Sequence, residues 1–394
     1  MADIRTAVGI VGAGPAGLLL GHLLTRAGID SVIVESRSEQ HVIERVRAGV
    51  LEQNTVDLLN EVGLGERLAR EGLRHEGIYL AFGGRRHHVD LADLTGGRAI
   101  TVYGQNEVVR DLIEARRRSC QPLRFEAEQV RVADIDSERP AIHARVGGDD
   151  HVYRCDYIAG CDGFHGISRL AIPEGSLKTY EHVLPCAWLG ILAKAPPSSR
   201  ELVYCRHARG FALFSMRSPE ITRLYLQCAP DEALTEWPDD RIWQELRTRL
   251  RTDDGWTPHE GAIVQKAVTP MRIFMVEPMQ YRRLFLAGDA AHIVPPTGAK
   301  GLNLAVADVW RLAGALDARY RRGTSSDLDA YSERALTRAW RAQRFSWWMT
   351  SLLHRVDQAD AFDERRQVAD LEYLVSSRAA LTTLAENYAG APLA

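Results

Sequence analysis

The run Ala7-Val8-Gly9-Ile10-Val11-Gly12-Ala13-Gly14-Pro15-Ala16-Gly17 constrains the fold more than any other segment. Its apolar beginning reads as a short strand buried on both faces of a parallel sheet, and Gly12-x-Gly14-x-x-Gly17 leads at once into the helical run of residues 18–27. The positions have separate tasks. Gly12 makes a tight turn, Gly14 lets the backbone approach a pyrophosphate, and Gly17, next to the small Ala16, lets the helix pack closely on the strand. A second apolar strand, residues 31–34, then delivers Glu35 at the spacing, about 20 residues, at which an acid binds a ribose hydroxyl. Strand, turn, helix, strand and acid in this order predict an α/β chain with a Rossmann-like dinucleotide-binding domain built on a parallel sheet.

A second signature narrows the dinucleotide. Residues 284–287 form an apolar strand that runs into Gly288 and Asp289 and then towards a helix-like run over residues 301–316. This places one carboxylate near a helix start, where it accepts hydrogen bonds from sugar-alcohol hydroxyls while the helix N-terminus faces a phosphate. A Gly-Asp pair alone is as often an ordinary turn; together with the N-terminal motif it points to FAD. A second dinucleotide fold would need another Gly-x-Gly-x-x-Gly after a strand, and Gly160, Gly163 and Gly166 do not make one. No Cys-x-x-Cys occurs among Cys120, Cys155, Cys161, Cys186, Cys205 and Cys228, which argues against a disulfide-reductase flavoprotein. Neither His87-His88 nor any other histidine group has ligand spacing, so no metal is expected.

The chain of 394 residues has room for two or three domains, and its net charge of -3 gives no reason to invoke nucleic acid. Asp3 precedes the apolar start and glycines interrupt it, unlike a signal peptide. No apolar run reaches the length of about 20 residues that spans a membrane, so a cytoplasmic, membrane-free protein is the expectation. The absence of repeats or low-complexity linkers suggests interwoven domains. Residues 1–180, completed by 268–345, are expected to form the FAD-binding domain, 181–267 an antiparallel-sheet substrate domain, and 346–394 a C-terminal helical and interface region.

Residues 183–227 alternate in apolar character, with turns at Pro196-Pro197 and Ser218-Pro219, as in antiparallel sheet. By the period of two, Phe211, Leu213, Ser215 and Arg217 share one face, with Ala212, Phe214 and Met216 on the other. Pairing this strand with the following one brings Ser215, Arg217, Arg223 and Tyr225 to one side. For an arbitrary hairpin that is a solvated face. Two guanidinium groups with a phenol and a hydroxyl also suit a small aromatic acid, because Arg holds a carboxylate bidentately. Tyr204 by itself reads as a packed core residue, and His75, in Gly-Leu-Arg-His-Glu-Gly, as part of a surface turn. Residues 331–384 carry apolar side chains at helical spacing and read as core-packing helices.

Three runs carry a family resemblance: Arg47-Ala48-Gly49-Val50-Leu51-Glu52-Gln53, residues 156–169, and residues 288–303. On these, and essentially end to end, the chain resembles the 4-hydroxybenzoate 3-monooxygenase (p-hydroxybenzoate hydroxylase) family of single-component FAD aromatic hydroxylases. The resemblance implies that NADPH or NADH reduces FAD and that the reduced flavin takes up O2 as a C4a-hydroperoxide. That species would hydroxylate 4-hydroxybenzoate at C3 to 3,4-dihydroxybenzoate within a homodimer. It further implies that Arg217, Ser215 and Tyr225 clamp the substrate carboxylate while Met216 and Pro296 border the ring. Tyr204 would contact the phenol oxygen and pass its proton to Tyr388, with His75 as the outlet. A phenolate is the better nucleophile at the ortho carbon, and a positioned proton acceptor contributes roughly 10² to 10⁴ in rate; water must meanwhile be kept from the activated oxygen.

The same resemblance assigns Gly12, Gly14, Ala16, Gly17, Glu35, Arg45, Arg47, Gln105, Asp289 and Leu302 to the cofactor, with Arg223, Lys300 and Asn303 near the flavin ring. Arg37, His41, Arg45, Arg47, His165, Arg169 and Arg272 are assigned to the nicotinamide nucleotide. Here the chain departs from the NADPH-dependent pattern: Ser36-Arg37 and His41 follow Glu35 where that pattern has Arg-Gln and a Tyr, and Glu39 would repel a 2′-phosphate. A flavin halogenase would need a Trp-x-Trp-x-Ile run, which Trp347-Trp348 does not supply, and a non-catalytic flavin protein would not need the polar pocket.

Overall fold

The strand Val8–Val11 is buried throughout and pairs in parallel with Ser31–Val34 on one side and Tyr157–Gly160 on the other. Leu284–Leu286 and Leu123–Arg124 extend this parallel sheet at its two flanks, and Gln280–Tyr281 closes one edge antiparallel. Every residue of the four central strands is buried, as a parallel sheet covered on both faces requires. The helices Pro15–Arg26, Gln105–Arg118 and Gly301–Arg322 pack together beside it. The antiparallel strands Ala141–Val146 and Asp149–Arg154 contribute Ile142 and Tyr153 to the same core. A computed structural model describes residues 2–44, 49–355 and 360–393; Arg45 and Arg47 lie outside the described residues.

The first helix starts at Pro15, three residues before the apolar run that announces it. Proline is suited to the first helical position, where no amide hydrogen is needed and φ is already set. Close approach here has a steric cause: a Cβ on Gly17 would stand 2.0 Å from the carbonyl oxygen of Gly12, itself at φ +102.

The second sheet has eight strands, in the spatial order His292–Ile293, Ala262–Glu277, Lys178–Lys194, Ile221–Cys228, Ala212–Met216, Val203–Cys205, Gly77–Phe82 and Arg85–Asp90. All neighbours are antiparallel except Val203–Cys205 with Gly77–Phe82. This broad sheet therefore draws strands from residues 77–90 and 262–293 as well as from the middle of the chain. Its longest members, Lys178–Lys194 and Ala262–Glu277, start and end beside the nucleotide sheet and carry the chain out and back. The C-terminal helices Tyr331–Leu353, Ala361–Ser376 and Arg378–Ala389 add Phe345, Met349, Leu374, Leu384 and Tyr388 to the core under the broad sheet. Among the described residues no helix is long and apolar enough to cross a membrane.

One cation is built into the nucleotide half. Arg116, 1% exposed, donates to the carbonyls of Ser31 (2.5 Å), Pro122 (3.0 Å) and Gly21 (3.3 Å). Burial pushes its guanidinium down to about 10, still charged at neutral pH. Removing it takes a donor from each of these carbonyls, of which Gly21 keeps the Thr25 hydroxyl (2.8 Å), and a buried carbonyl left unsatisfied costs about 1–3 kcal/mol. Arg116→Ala should lower unfolding free energy by about 3 kcal/mol in urea, and Arg116→Lys should recover only part of that because an ammonium cannot fork between strands. An unchanged denaturation midpoint for Arg116→Ala would contradict this account.

Candidate active site

The carboxyl ends of the parallel strands meet along one edge, where open α/β sheets bind their ligands. Gly12 follows Val11 there, Glu35 follows Val34, Cys161 and Asp162 follow Gly160, and Gly288 follows shortly after Leu286. Glu35 braces the turn: one carboxylate oxygen accepts from the amide of Ala13 (2.8 Å) and the other from that of Arg37 (2.8 Å). A Cβ on Gly288 would lie 3.5 Å from that of Ala16, so the two halves of the signature touch. A Cβ on Gly14 would meet nothing within 4 Å, and the helix behind it has no acid in its first turn. Asp289 is exposed between buried Gly288 and Ala290. Gln105 and Leu302, both half-buried, stand at the first and second positions of their helices. An open backbone turn, a helix N-terminus free of acids and an outward carboxylate fit a dinucleotide pyrophosphate with its sugar alcohols.

Sequence reading missed what holds this edge in shape. Asp308, buried in the helix Gly301–Arg322, accepts from the amide of Gly288 (2.9 Å) and from Nε2 of His292 (2.7 Å). Burial alone would lower the His292 value, but the adjacent Asp308 carboxylate outweighs it and holds the imidazole above its usual value.

A narrow cavity of about 30 Å³ lies against the broad sheet, lined among others by Val50, Trp188, Tyr204, Ser215, Met216, Arg217, Arg223, Tyr225 and Pro296. That is room for about one water, so an aromatic ring enters only as the lining moves. Register explains the convergence: Leu213 pairs with Tyr225 and Ser215 with Arg223. The face expected to be solvated in an arbitrary hairpin is covered, with Ser215 and Tyr225 buried. Met216, which alternation puts on the other face, also lines the cavity because its strand ends there and turns. Arg223 donates through Nε to the hydroxyl of Tyr225 and lies 5.0 Å over its ring. Burial, with the neighbouring Arg223 charge, pushes Arg217 down to about 10. Two guanidinium groups held together in a covered site make a strong attraction for one anion.

Tyr204 and Tyr388 join this cavity to the C-terminal helix Arg378–Ala389. Their hydroxyls are 2.5 Å apart and both rings are buried. Burial raises both phenols, and for Tyr204 the Tyr388 hydroxyl adds to the effect. Lys300 donates to the carbonyl of Tyr388 (3.2 Å) and to Glu52 (2.6 Å), all within the core. Burial lowers the Lys300 value while Glu52 opposes that fall. Asn303 is engaged on all sides: its oxygen accepts from the Glu52 amide and the Thr55 hydroxyl, and its nitrogen donates to the carbonyls of Val50 and Ala299. His75 corrects the surface-turn reading. It ends the strand Leu73–His75, is 2% exposed, and burial pushes it down to about 4. Neither of its ring nitrogens has a hydrogen-bond partner among the described residues, so it makes no direct bond to Tyr388.

The residues assigned to the nicotinamide fall in two places. His165, Arg169 and Arg272 gather round Phe164: the His165 ring is edge-on to it at 4.9 Å, Arg272 stacks at 4.5 Å and Arg169 at 5.3 Å. Arg169 also donates to the carbonyls of Ala290 (2.9 Å) and Phe164 (2.7 Å), tying this cluster to the Asp289 turn. Arg37 and His41 are exposed beyond Glu35, where Glu39 pairs with Arg117.

Comparison with known proteins bears on what such a site serves. Residues 5–346 match the family described as FAD binding domain. The chain is 47% identical over 392 residues to p-hydroxybenzoate hydroxylase of Acinetobacter baylyi, covering 100% of this chain and 97% of that one. It is 26% identical over 338 residues to a probable NADH-specific resorcinol 4-hydroxylase of Rhodococcus jostii, covering 82% of this chain and 61% of the relative. Among solved structures, p-nitrophenol 4-monooxygenase from Pseudomonas putida superposes with a TM-score of 0.83 at 20% identity, covering 98% of this chain and 97% of that one, which shows a shared fold.

The His292–Asp308 pair makes stability depend on pH in a defined sense. A histidine raised in the folded state stabilises fully below its unfolded value of about 6.5 and loses that contribution as pH rises through the raised value. The stability gap between parent and His292→Gln should therefore be wider at about pH 6 than at about pH 9 in denaturant unfolding. A gap that widens with pH would show that His292 is not the protonated partner.

Proposed function

The chain belongs to the FAD-dependent aromatic hydroxylase family, and from that premise we propose that it hydroxylates 4-hydroxybenzoate at C3 to give 3,4-dihydroxybenzoate. The observation that carries this reading is one cavity lined by two unlike recognition groups: Arg217 with Ser215 and Tyr225, and Tyr204, backed by its hydrogen bond to buried Tyr388. A ring with a carboxylate at one end and a phenol at the other needs both. FAD, reduced by NAD(P)H, supplies the oxygen-activating chemistry when bound. Gly12, Gly14, Ala16, Gly17, Glu35, Gln105, Asp289 and Leu302 would hold it, with Arg45 and Arg47 assigned by family resemblance.

Within this reading Arg217 binds the carboxylate, while Met216 and Pro296 bound the ring. Tyr204 accepts the phenol proton and hands one on to Tyr388 through their shared hydrogen bond. Since burial disfavours a tyrosinate at either position, the pair moves a proton rather than storing charge. His75, held down to about 4, stays neutral and would relay through a bridging water by exchanging tautomers. Arg217, Arg223 and Lys300 supply positive potential that favours the phenolate and negative charge on the flavin. Asn303 acts by fixing Val50, Glu52 and Ala299 round that potential.

His165, Arg169 and Arg272 would receive the nicotinamide, with Arg37 and His41 at its adenosine end. NADPH is favoured, with NADH also accepted, because Arg117 offsets the Glu39 charge that would repel a 2′-phosphate; equal kcat/KM for the two would remove the preference. The proposed division keeps residues 1–180 with 268–345 for the cofactor, 181–267 for the substrate and 346–394 as the helical region, although residues 77–90 and parts of 268–293 also join the broad sheet. A cytoplasmic homodimer completes the proposal, and a monomer by light scattering would remove the dimer.

The direct test is whether the purified flavoprotein oxidises NAD(P)H faster when 4-hydroxybenzoate is added, with the catechol product quantified by chromatography; no stimulation and no product would refute the assignment. Arg217→Ala should weaken 4-hydroxybenzoate binding by on the order of 2 to 5 kcal/mol while leaving FAD affinity nearly intact. Tyr204→Phe should slow hydroxylation more than flavin reduction and divert NAD(P)H to hydrogen peroxide, with Tyr388→Phe milder. Parent-like yields of 3,4-dihydroxybenzoate from both tyrosine variants would make the pair structural.

A further inference from the structure

Behind the cavity lies a stack of aromatic rings that the proton relay and the carboxylate clamp do not use. Trp188, on the strand Lys178–Lys194, lines the cavity and is 5% exposed. Its indole sits 4.7 Å from the Tyr225 ring and 5.2 Å from Phe211. Phe211 in turn stacks on His354 at 4.3 Å, and Trp188 and His354 are within 8° of parallel. The indole Nε1 donates to Nε2 of His354 at 2.6 Å. The other ring nitrogen, Nδ1, is 3.1 Å from the carbonyl of Thr350.

These two contacts determine the tautomer. A carbonyl only accepts, so Nδ1 carries the proton; an indole only donates, so Nε2 must present its lone pair. Burial holds His354 down to about 3, which keeps that lone pair available at any physiological pH. The backbone that carries the imidazole is itself held. Gln367 donates to the carbonyls of His354 (2.8 Å) and Ser351 (2.9 Å), and Arg206 fixes Gln367 (2.9 Å). Gln227 ties both Arg355 and Phe211 to the sheet. The end of the helix Tyr331–Leu353 is thus fastened to the sheet that carries the cavity.

We infer that His354 is a positioning residue that sets the orientation of Trp188 and, through it, the aromatic wall against which the substrate ring rests. The inference rests on the reading of this cavity as the 4-hydroxybenzoate site. Without the imidazole acceptor, the indole either leaves its N–H buried and unpaired or turns it towards the cavity, where water satisfies it. Binding an aromatic ring must then expel that water, so the loss falls on substrate affinity. FAD affinity, set by the Gly12 and Asp289 edge, stays put.

The test titrates 4-hydroxybenzoate into the FAD-loaded parent, His354→Leu, His354→Gln, Trp188→Phe and the double variant Trp188→Phe/His354→Leu, following flavin absorbance, with FAD affinity measured separately. His354→Leu should raise the substrate Kd roughly tenfold, the size of one unsatisfied buried N–H. His354→Gln, which keeps an acceptor, should raise it less, and the double variant should bind no more weakly than His354→Leu because no donor is left to strand. A His354→Leu Kd within about twofold of parent overturns the inference, as do single effects that multiply in the double variant. Should His354→Leu fail to fold, the indole N–H resonance identified by its loss in Trp188→Phe provides the second measurement. It should move in His354→Gln, and an unmoved resonance overturns the pairing. A parent protein that shows no saturable response overturns the substrate reading itself, an outcome distinct from a parent that binds and variants that bind alike.

Discussion

The ion pair between Lys300 and Glu52, 2.6 Å long and shut inside the protein, is the contact on which the site's arrangement depends. Lys300 immediately precedes the helix Gly301–Arg322 of the nucleotide half, and Glu52 ends the strand Val50–Glu52 whose first residue lines the cavity. The same ammonium reaches the carbonyl of Tyr388, Asn303 secures the backbone at Val50 and Glu52, and Arg338 approaches the Glu52 carboxylate at 3.7 Å. Nucleotide half, cavity strand and C-terminal helix are thereby fastened at one point. A buried pair of this kind adds little net stability against an apolar substitute, but losing either partner alone leaves an uncompensated charge and is costly. The geometry of the buried tyrosines is therefore linked to that of the nucleotide edge through this ion pair as well as through the apolar packing of Tyr388 on Phe345.

What could be read in the chain divides along a physical line. The nucleotide edge was legible because its requirements are local: Gly12 and Gly17 are demanded by backbone distances within one turn, and Glu35 by its place at the end of one strand. The hairpin that gathers Ser215, Arg217, Arg223 and Tyr225 was legible for a similar reason, since alternation and one turn fix the register. Glu52, Asp308, Trp188 and His354 were not, because each draws its role from a partner far away in the chain, and a carboxylate in Leu-Glu-Gln looks like any helix-start acid. His75 was misread by local composition: flanking polar residues suggest a turn, whereas strand pairing with Ile100 carries it inside. Substrate identity was never in the spacing and came from resemblance.

The charges around the cavity follow one logic. On the proposed reading, Arg217 and Arg223 concentrate positive potential beside phenols that burial keeps protonated, which would draw in a carboxylate while the tyrosines stay neutral. Were the same face solvated, screening would weaken that attraction severalfold. Enclosure and charge thus act together.

The two long strands that carry the chain out and back have a consequence for biosynthesis. Lys178 pairs with Glu277, and Val11 must wait for a neighbour of Leu286 to finish the sheet edge. A ribosome releases Gly12 early and Gly288 late, so the pyrophosphate turn exists long before the carboxylate turn that completes it. Most strands of the broad sheet emerge in between, and they pair through contacts distant in sequence, which form slowly. Because Pro296 and Ala299 of the cavity lining emerge just after Asp289, the cavity and the carboxylate turn are completed by the same late stretch of chain.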